Sequence, residues 1–278
     1  CNVPSIMATR MIENPKSRLI TMLITPFMSC SARLPIYVLL IGAFFPHRGS
    51  IVLLLLYALG VIVALLSAKL FSKYFHVGED LPFVMELPPY RIPILHSVLR
   101  HTWEKGRQYL QKMAGLILAF SIVIWSLGYF HIPSTNAEQA SESEPRRTYL
   151  ECIGQTVSPI FTPMHFDWQL TVGILSGIGA KELVVSTLGV LYADDYTDEN
   201  PENTSRLQNV LRNNISIPSA TAYMVFLLLY LPCIATIVAI RSESRSWKWA
   251  AFSAVYSTIL AYTLSLIAYL VCSAIISL

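Results

Sequence analysis

Six apolar stretches, three of them interrupted, constrain this chain more than any other feature of its sequence. They cover residues 19–45, 51–70, 113–131, 168–192, 219–240 and 247–278. A bilayer core of about 30 Å takes roughly 20 apolar residues in helical form, so each stretch is long enough to cross or enter a membrane. Residues 51–70, 113–131 and 247–278 run clean, and 113–131 ends in Trp125 and Tyr129, residues suited to a membrane interface. The other three are cut: 19–45 by Ser29-Cys30-Ser31-Ala32-Arg33-Leu34-Pro35, 168–192 by Gly177-Ile178-Gly179-Ala180-Lys181-Glu182, and 219–240 by Pro232-Cys233. In lipid a freed backbone group costs several kcal/mol, so a broken helix persists only where protein or a water-filled cavity covers it. In transporters such breaks often form the substrate site. The expected fold is therefore all-α: a polytopic transmembrane helix bundle with discontinuous helices.

Composition supports the membrane class. Charged residues make up 13% of the chain and hydrophobic ones 54%, where soluble domains carry about 25% charge. The net charge of +3 comes from basic residues scattered through loops, which argues against a nucleic-acid partner. The cysteines, Cys1, Cys30, Cys152, Cys233 and Cys272, form no C-x-x-C pair. Neither a disulfide framework nor a structural zinc site is expected from them. The sequence opens at Cys1 without a signal-peptide pattern, so it reads as a piece of a longer chain.

Four regions follow. Residues 1–70 hold the first interrupted segment and the clean helix after it. Residues 71–112 form a basic loop, Pro-rich at first, with 94–107 as an amphipathic helix on the membrane surface. Positive-inside logic places that loop in the cytoplasm. Residues 113–193 hold a clean helix, an external linker at 133–166 and the second broken segment. Residues 194–278 begin with a solvated acidic run at 194–202 and continue into the last two segments. If all six segments span, the basic loop 241–246 falls outside; if 168–192 re-enters, it falls inside.

Two places echo one another. Pro4-Ser5-Ile6-Met7-Ala8-Thr9-Arg10 is followed by Glu13, and Pro232-Cys233-Ile234-Ala235-Thr236 by Arg241 and Glu243. Each has a cysteine within three residues of a proline, then Ala-Thr, then Arg and Glu. Repeats with a site at their interface are common in transporters, so an internal gate repeat stays open.

The opening Cys1-Asn2-Val3-Pro4-Ser5-Ile6-Met7-Ala8-Thr9-Arg10 resembles the first gate motif of the ferrous iron transporter B family. Met28-Ser29-Cys30-Ser31-Ala32-Arg33-Leu34-Pro35-Ile36-Tyr37 resembles the segment that follows it there. Pro82 to Arg91 resembles the family's loop signature, Gly179 to Leu188 its broken-helix motif, and Leu231-Pro232-Cys233-Ile234-Ala235-Thr236 its second gate. The resemblance implies import of Fe²⁺ across the bacterial cytoplasmic (inner) membrane by a multi-pass protein. It also implies a GTP-binding domain and a coupling domain ahead of this region, and small cytosolic accessory proteins as partners. No G-x-x-x-x-G-K-[ST] loop occurs in the chain, so GTP and Mg²⁺ belong to that missing domain and the fragment itself is not expected to be an enzyme. No permanently bound cofactor is expected; Fe²⁺ is the transported substrate. A homo-oligomer stays open.

For Fe²⁺, which takes thiolate, imidazole or carboxylate ligands, the favoured residues are Cys1, Cys233 and Glu182. The cysteines sit at proline-marked breaks in the echoed motif, although a free cysteine is equally a small buried hydrophobe. Glu182 is a carboxylate inside an apolar segment, a position that is functional by default. It would ligate the ion or pair with Lys181, unless both snorkel to an interface. Arg33 reads as structural, pairing with freed carbonyls. Asn2 and Ser5 read as helix caps, Met7, Met28 and Met164 as packing, and the histidines as surface residues. The gate regions also resemble those of nucleoside permeases, so an organic-solute carrier is the rival function. An intramembrane hydrolase lacks any H-E-x-x-H or similar motif, and a scaffold gains nothing from costly breaks.

Overall fold

The computed structural model describes residues 1–75, 94–130, 148–192 and 204–277. Every regular element among them is helical: α1 (Asn2–Ala8), α2 (Pro15–Ile24), α3 (Leu34–Phe44), α4 (Gly49–Tyr74), α5 (Leu95–Tyr129), α6 (Tyr149–Val157), α7 (Trp168–Gly179), α8 (Leu183–Leu191), α9 (Thr204–Asn214), α10 (Ile217–Leu229), α11 (Ile234–Ser244) and α12 (Trp247–Ser277). Helix starts follow local chemistry. Asn14 caps α2 by accepting from Lys16 N at 3.0 Å, with Pro15 at the first helical position. Ser216 caps α10 in the same way, accepting from Ser219 N at 3.3 Å.

Among the described residues, four stretches are long and apolar enough to cross a membrane: Pro15–Phe44, Gly49–Tyr74, Ile217–Ser244 and Trp247–Ile276. The chain is a polytopic, multi-pass membrane protein. Two of these stretches are the uninterrupted α4 and α12. The other two are broken spans, α2 with α3 and α10 with α11.

The fourth apolar segment behaves differently. Its 12-residue α7 and nine-residue α8 are about 18 Å and 14 Å long at 1.5 Å per residue, each short of a bilayer core. They fold back on each other. A methyl group built on Gly173 would meet the Leu188 side chain at 3.1 Å, and one on Gly177 would meet Val184 at 2.7 Å. Two pairings that advance along α7 and retreat along α8 define an antiparallel hairpin. The missing side chains of the two glycines let it close. The segment is therefore a helical hairpin rather than one spanning helix, the geometry that the re-entrant alternative calls for. Its tip, Ala180 to Glu182, carries the extended Ala180 (φ −147°, ψ 134°).

Three sequence expectations change. The amphipathic stretch 94–107 is no separate surface helix: it continues without interruption into the third apolar segment as the 35-residue α5. Its far end keeps Trp125 and Tyr129, whose rings stack at 5.1 Å. The 133–166 linker is helical from Tyr149 onwards, because Thr148 accepts from Glu151 N at 3.2 Å in a capping arrangement. The loop expected after residue 194 contains α9, whose Leu211 is fully buried beside α3. The loop signature 82–91 and the acidic run 194–202 lie outside the described residues.

The main core gathers around α10, with α3, α4, α7, α8 and α12 packed about it. Contacts at the two ends place the loops. Phe75 after α4 meets Trp249 of α12, and Glu243 of α11 meets Arg10 and Arg18. His165 before α7 meets Tyr269 near the other end of α12. One face of the bundle thus carries residues 10–18, 75 and 241–249, and the other carries the 165–168 turn.

Candidate ion site at three helix breaks

The three interruptions converge. The first lies at mid-depth: Phe27, in the 3-10 turn Thr25–Phe27, puts its carbonyl against Gly60, halfway along α4, where an added methyl group would come within 3.0 Å of it. Cys30 is extended there (φ −110°, ψ 158°), and Arg33 follows in a second 3-10 turn. The third break falls midway along the α10–α11 span, where Tyr230 to Cys233 leave the helix before Cys233 starts α11. Pro232 has no N–H to offer, so the chain cannot stay helical through it. The α7–α8 tip closes the triangle. Lys181 Nζ donates to the freed carbonyl of Leu231 at 3.1 Å and lies over the Tyr230 ring, 3.2 Å from its centroid.

The side chains around this point form one electrostatic group. Lys181 lies within reach of Arg33, Cys233 and Cys30, and Tyr230 within reach of Arg33, Cys233, Tyr37 and Cys30. Arg33 is buried, and its Nη2 donates to Pro26 O at 3.2 Å. That is the structural role expected of it, satisfying a carbonyl released by the break. Gly177 is the counterpart in α7, where an added methyl group would collide with the Tyr230 hydroxyl.

The gate echo has a geometric meaning. Helices α1 and α11 pack side by side around Val3, Ile6, Ala235, Ala239 and Ile240. Arg10 follows α1, and its Nε reaches the Glu243 carboxylate near the end of α11 at 2.7 Å. The Arg18 Nη2 joins the same carboxylate at 2.9 Å. The two helices therefore run in the same direction, with Cys1 and Cys233 at their deep ends. The Glu243 side chain is 3% exposed, so the echoed Arg and Glu serve as a clasp between the two gates. Arg241 instead packs its guanidinium over Trp247.

The predicted site residues separate. Cys233 is half-buried inside the cluster, its sulfur 3.1 Å from Thr236 Oγ1. Cys1 precedes α1 and is exposed. Glu182 stands next to Lys181, yet it points outward and is exposed, while the lysine turns into the core. The Lys181–Glu182 pair considered from sequence is not formed, because a carbonyl and an aromatic face satisfy the ammonium. Among the described residues, no three His, Cys, Asp or Glu side chains gather as a metal cage. Asn2 and Ser5 do not cap α1: Cys1 holds the N-cap position, and Ser5 Oγ donates to Cys1 O at 3.5 Å. His47, His96, His101 and His165 are exposed as expected. Met164 is fully buried and accepts from Ser265 Oγ at 3.0 Å.

Sequence reasoning missed Lys181 as the charge that enters the core, and it did not name Cys30 among the favoured ligands. A cation embedded beside a Gly-rich break was the available signal for Lys181. Tyr37 and Tyr230 gave none, because an aromatic residue in an apolar helix looks like packing.

These features define a class: a multi-pass helical membrane protein whose core is built from broken helices meeting at mid-depth. Family comparisons particularise it. The gate model, described as nucleoside recognition, matches residues 1–44 and 110–247, and the model of the ferrous iron transport protein B C terminus matches residues 53–105. The chain is 46% identical to an Fe(2+) transport protein A/Fe(2+) transporter FeoB fusion protein of Porphyromonas gingivalis, over 97% of this chain and 36% of that protein. It is 41% identical to an Fe(2+) transporter FeoB of Staphylococcus aureus (97% and 39%) and 43% identical to one of Methanocaldococcus jannaschii (96% and 39%). No solved structure matches it. The chain belongs to the gate family by the model over most of its length and to the ferrous iron transport protein B family by its second model and its relatives, and it spans a little over a third of the length of the curated relatives named here.

Proposed function

We propose that this chain is the membrane-conducting part of a ferrous iron importer, carrying Fe²⁺ across the cytoplasmic membrane of a bacterium. The observation that carries this reading is the similarity of 97% of the chain to proteins named as Fe(2+) transporters. The arrangement of the gates supports it, since α1 and α11 pack side by side in the same direction, Cys233 lies at one of the backbone breaks, and Cys1 precedes α1 at the matching end. Thiolates suit a borderline-soft ion such as Fe²⁺, and a few weak ligands allow the ion to leave as well as enter. In this reading Cys1 and Cys233 are transient ligands, and the exposed Glu182 meets the ion before it reaches them. The basic end of the bundle, with Arg10, Lys16, Arg18, Lys69, Lys73, Arg241 and Arg245, faces the cytoplasm. With 168–192 re-entrant, the basic 241–246 loop falls on that same side.

In this reading the GTP-driven step that the family resemblance implies lies outside this chain, which serves as the permeation part. The fused Fe(2+) transport protein A of the P. gingivalis relative supports a small accessory protein as partner. The description of the gate model keeps an organic-solute carrier as the rival.

The test is anaerobic Fe²⁺ uptake into cells lacking their own importer, expressing the full-length parent protein. Uptake by the wild type that is lost in Cys1→Ser/Cys233→Ser, at equal protein level, supports a thiol-lined path. Uptake that survives moves the ligand role to Glu182, tested as Glu182→Gln. An absence of iron uptake in the wild type, together with uptake of a labelled nucleoside, overturns the reading in favour of the carrier.

A further inference from the structure

We propose that the meeting point of the three breaks binds a small inorganic anion of halide size, held on the free edge of Arg33 and offsetting part of the positive charge of Arg33 and Lys181. Arg33 is 1% exposed and Lys181 4%. Neither makes an ion pair: among the described residues the carboxylate bridges are those of Glu243 with Arg10 and Arg18. Among the described residues, the groups that act electrostatically on Lys181 and Tyr230 are Arg33, Cys30, Cys233 and Tyr37, and none is a carboxylate. Two basic side chains are therefore buried in one cluster with no carboxylate partner among the described residues, an arrangement that proteins compensate.

The hydrogen-bond inventory points the same way. Arg33 uses Nη2 on Pro26 O, while its Nε and Nη1 are buried without a partner. The hydroxyls of Tyr37, Tyr230 and Ser29 are buried without a partner as well. Guanidinium and ammonium only donate, and a hydroxyl is able to donate, so the cluster is rich in unused donors and poor in acceptors. Lys181 is already held by Leu231 O and the Tyr230 face, which leaves the Arg33 edge as the seat. A water molecule would satisfy donors but not charge, and without a bound anion an approaching cation would meet an uncompensated positive field. A halide meets both needs. Bound there, it would lower the positive field at Cys233 and ease the approach of a divalent cation to that thiol. The site does not depend on which cargo the protein moves.

The test uses the full-length protein in detergent, with chloride or bromide exchanged for gluconate at constant ionic strength. Gluconate is too large for a buried seat of this kind. The unfolding midpoint of the wild type is expected to rise saturably with chloride and with bromide. In Lys181→Met, which keeps the packed stem and removes the charge, the rise is expected to be lost or shifted to much higher halide concentration. A wild-type midpoint indifferent to halide overturns the proposal and leaves the Cys30 and Cys233 thiols as the counter-charge. An identical halide response in Lys181→Met overturns it too. Should that variant not fold, crystals of the wild type grown in bromide decide: an anomalous peak within hydrogen-bond reach of Arg33 Nε upholds the site, and its absence removes it.

Discussion

The last two membrane spans are almost the same object in composition and opposites in the folded protein. Ile217–Ser244 has 28 residues, Trp247–Ile276 has 30, and both are strongly apolar, yet 72% of the first apolar window is buried and 11% of the second. Hydropathy places both in the bilayer without saying where in the bundle they stand. The interruption decides that. Leu231 releases a carbonyl that lipid cannot satisfy, so its span must sit where protein supplies a donor, and Lys181 does so. The α12 helix runs from Trp247 to Ser277 without a break and leaves Val255, Ile259, Ile267 and Leu270 exposed at 53–59%. Inside a membrane no hydrophobic gain drives one apolar helix beneath another, which makes polar and packing constraints the deciding terms.

Substitutions break or sharpen this contrast in a graded way. The largest effect belongs to Gly177→Leu, which places a branched side chain where the Tyr230 hydroxyl and Val184 meet the hairpin. It should cost about 3 kcal/mol, read as a collapse of folded yield and a lower unfolding midpoint in detergent. A variant as stable as the wild type would show that the α7–α8 hairpin does not pack on the break.

Next comes Glu243→Gln. The buried carboxylate holds two arginines, so its neutralisation should cost about 2–3 kcal/mol in chemical unfolding. Arg10, whose side chain is 55% exposed, should matter far less when changed to Ala. Equal losses from both would mean that the clasp works through Arg10 rather than through the buried carboxylate.

Cys233→Ser should separate function from stability. Cys233 is only partly buried and a serine hydroxyl can still meet Thr236, so the unfolding midpoint should move by less than about 1 kcal/mol equivalent, while Fe²⁺ uptake by the full-length protein falls sharply. A large loss of stability with uptake retained would return Cys233 to the packing role.

The smallest effect is expected from Ile267→Ala on α12, within about 0.5 kcal/mol, because that side chain meets lipid rather than protein. A cost of several times that size would reveal a protein neighbour on the exposed face of α12, such as a second subunit.

Much of this architecture is legible in the residues alone. Long apolar runs fix helices in lipid because no other local backbone form satisfies its own hydrogen bonds there. Proline, glycine and charge within such runs mark breaks for the same reason, and all three interruptions occur where the residues predict them. The echo around Pro4 and Pro232 and the order of the gate motifs are also facts of sequence. Local chemistry misleads at the joins. The break expected between residues 107 and 113 is absent because nothing there stops a helix, and α9 is hidden by the acidic run ahead of it.

What only the tertiary structure decided is the company each break keeps. The spacing of residues 30, 181 and 233 along the chain carries no information about distance, since each belongs to a separate helix pair. Packing alone turned Lys181 inward and Glu182 outward: a break carbonyl and an aromatic face lay on one side of the turn and open space on the other. Sequence determined where the helices fail, because that is a local hydrogen-bond question. The fold determined that the failures meet, because uncovered polar backbone in a bilayer is tolerated only where other polar groups come to cover it.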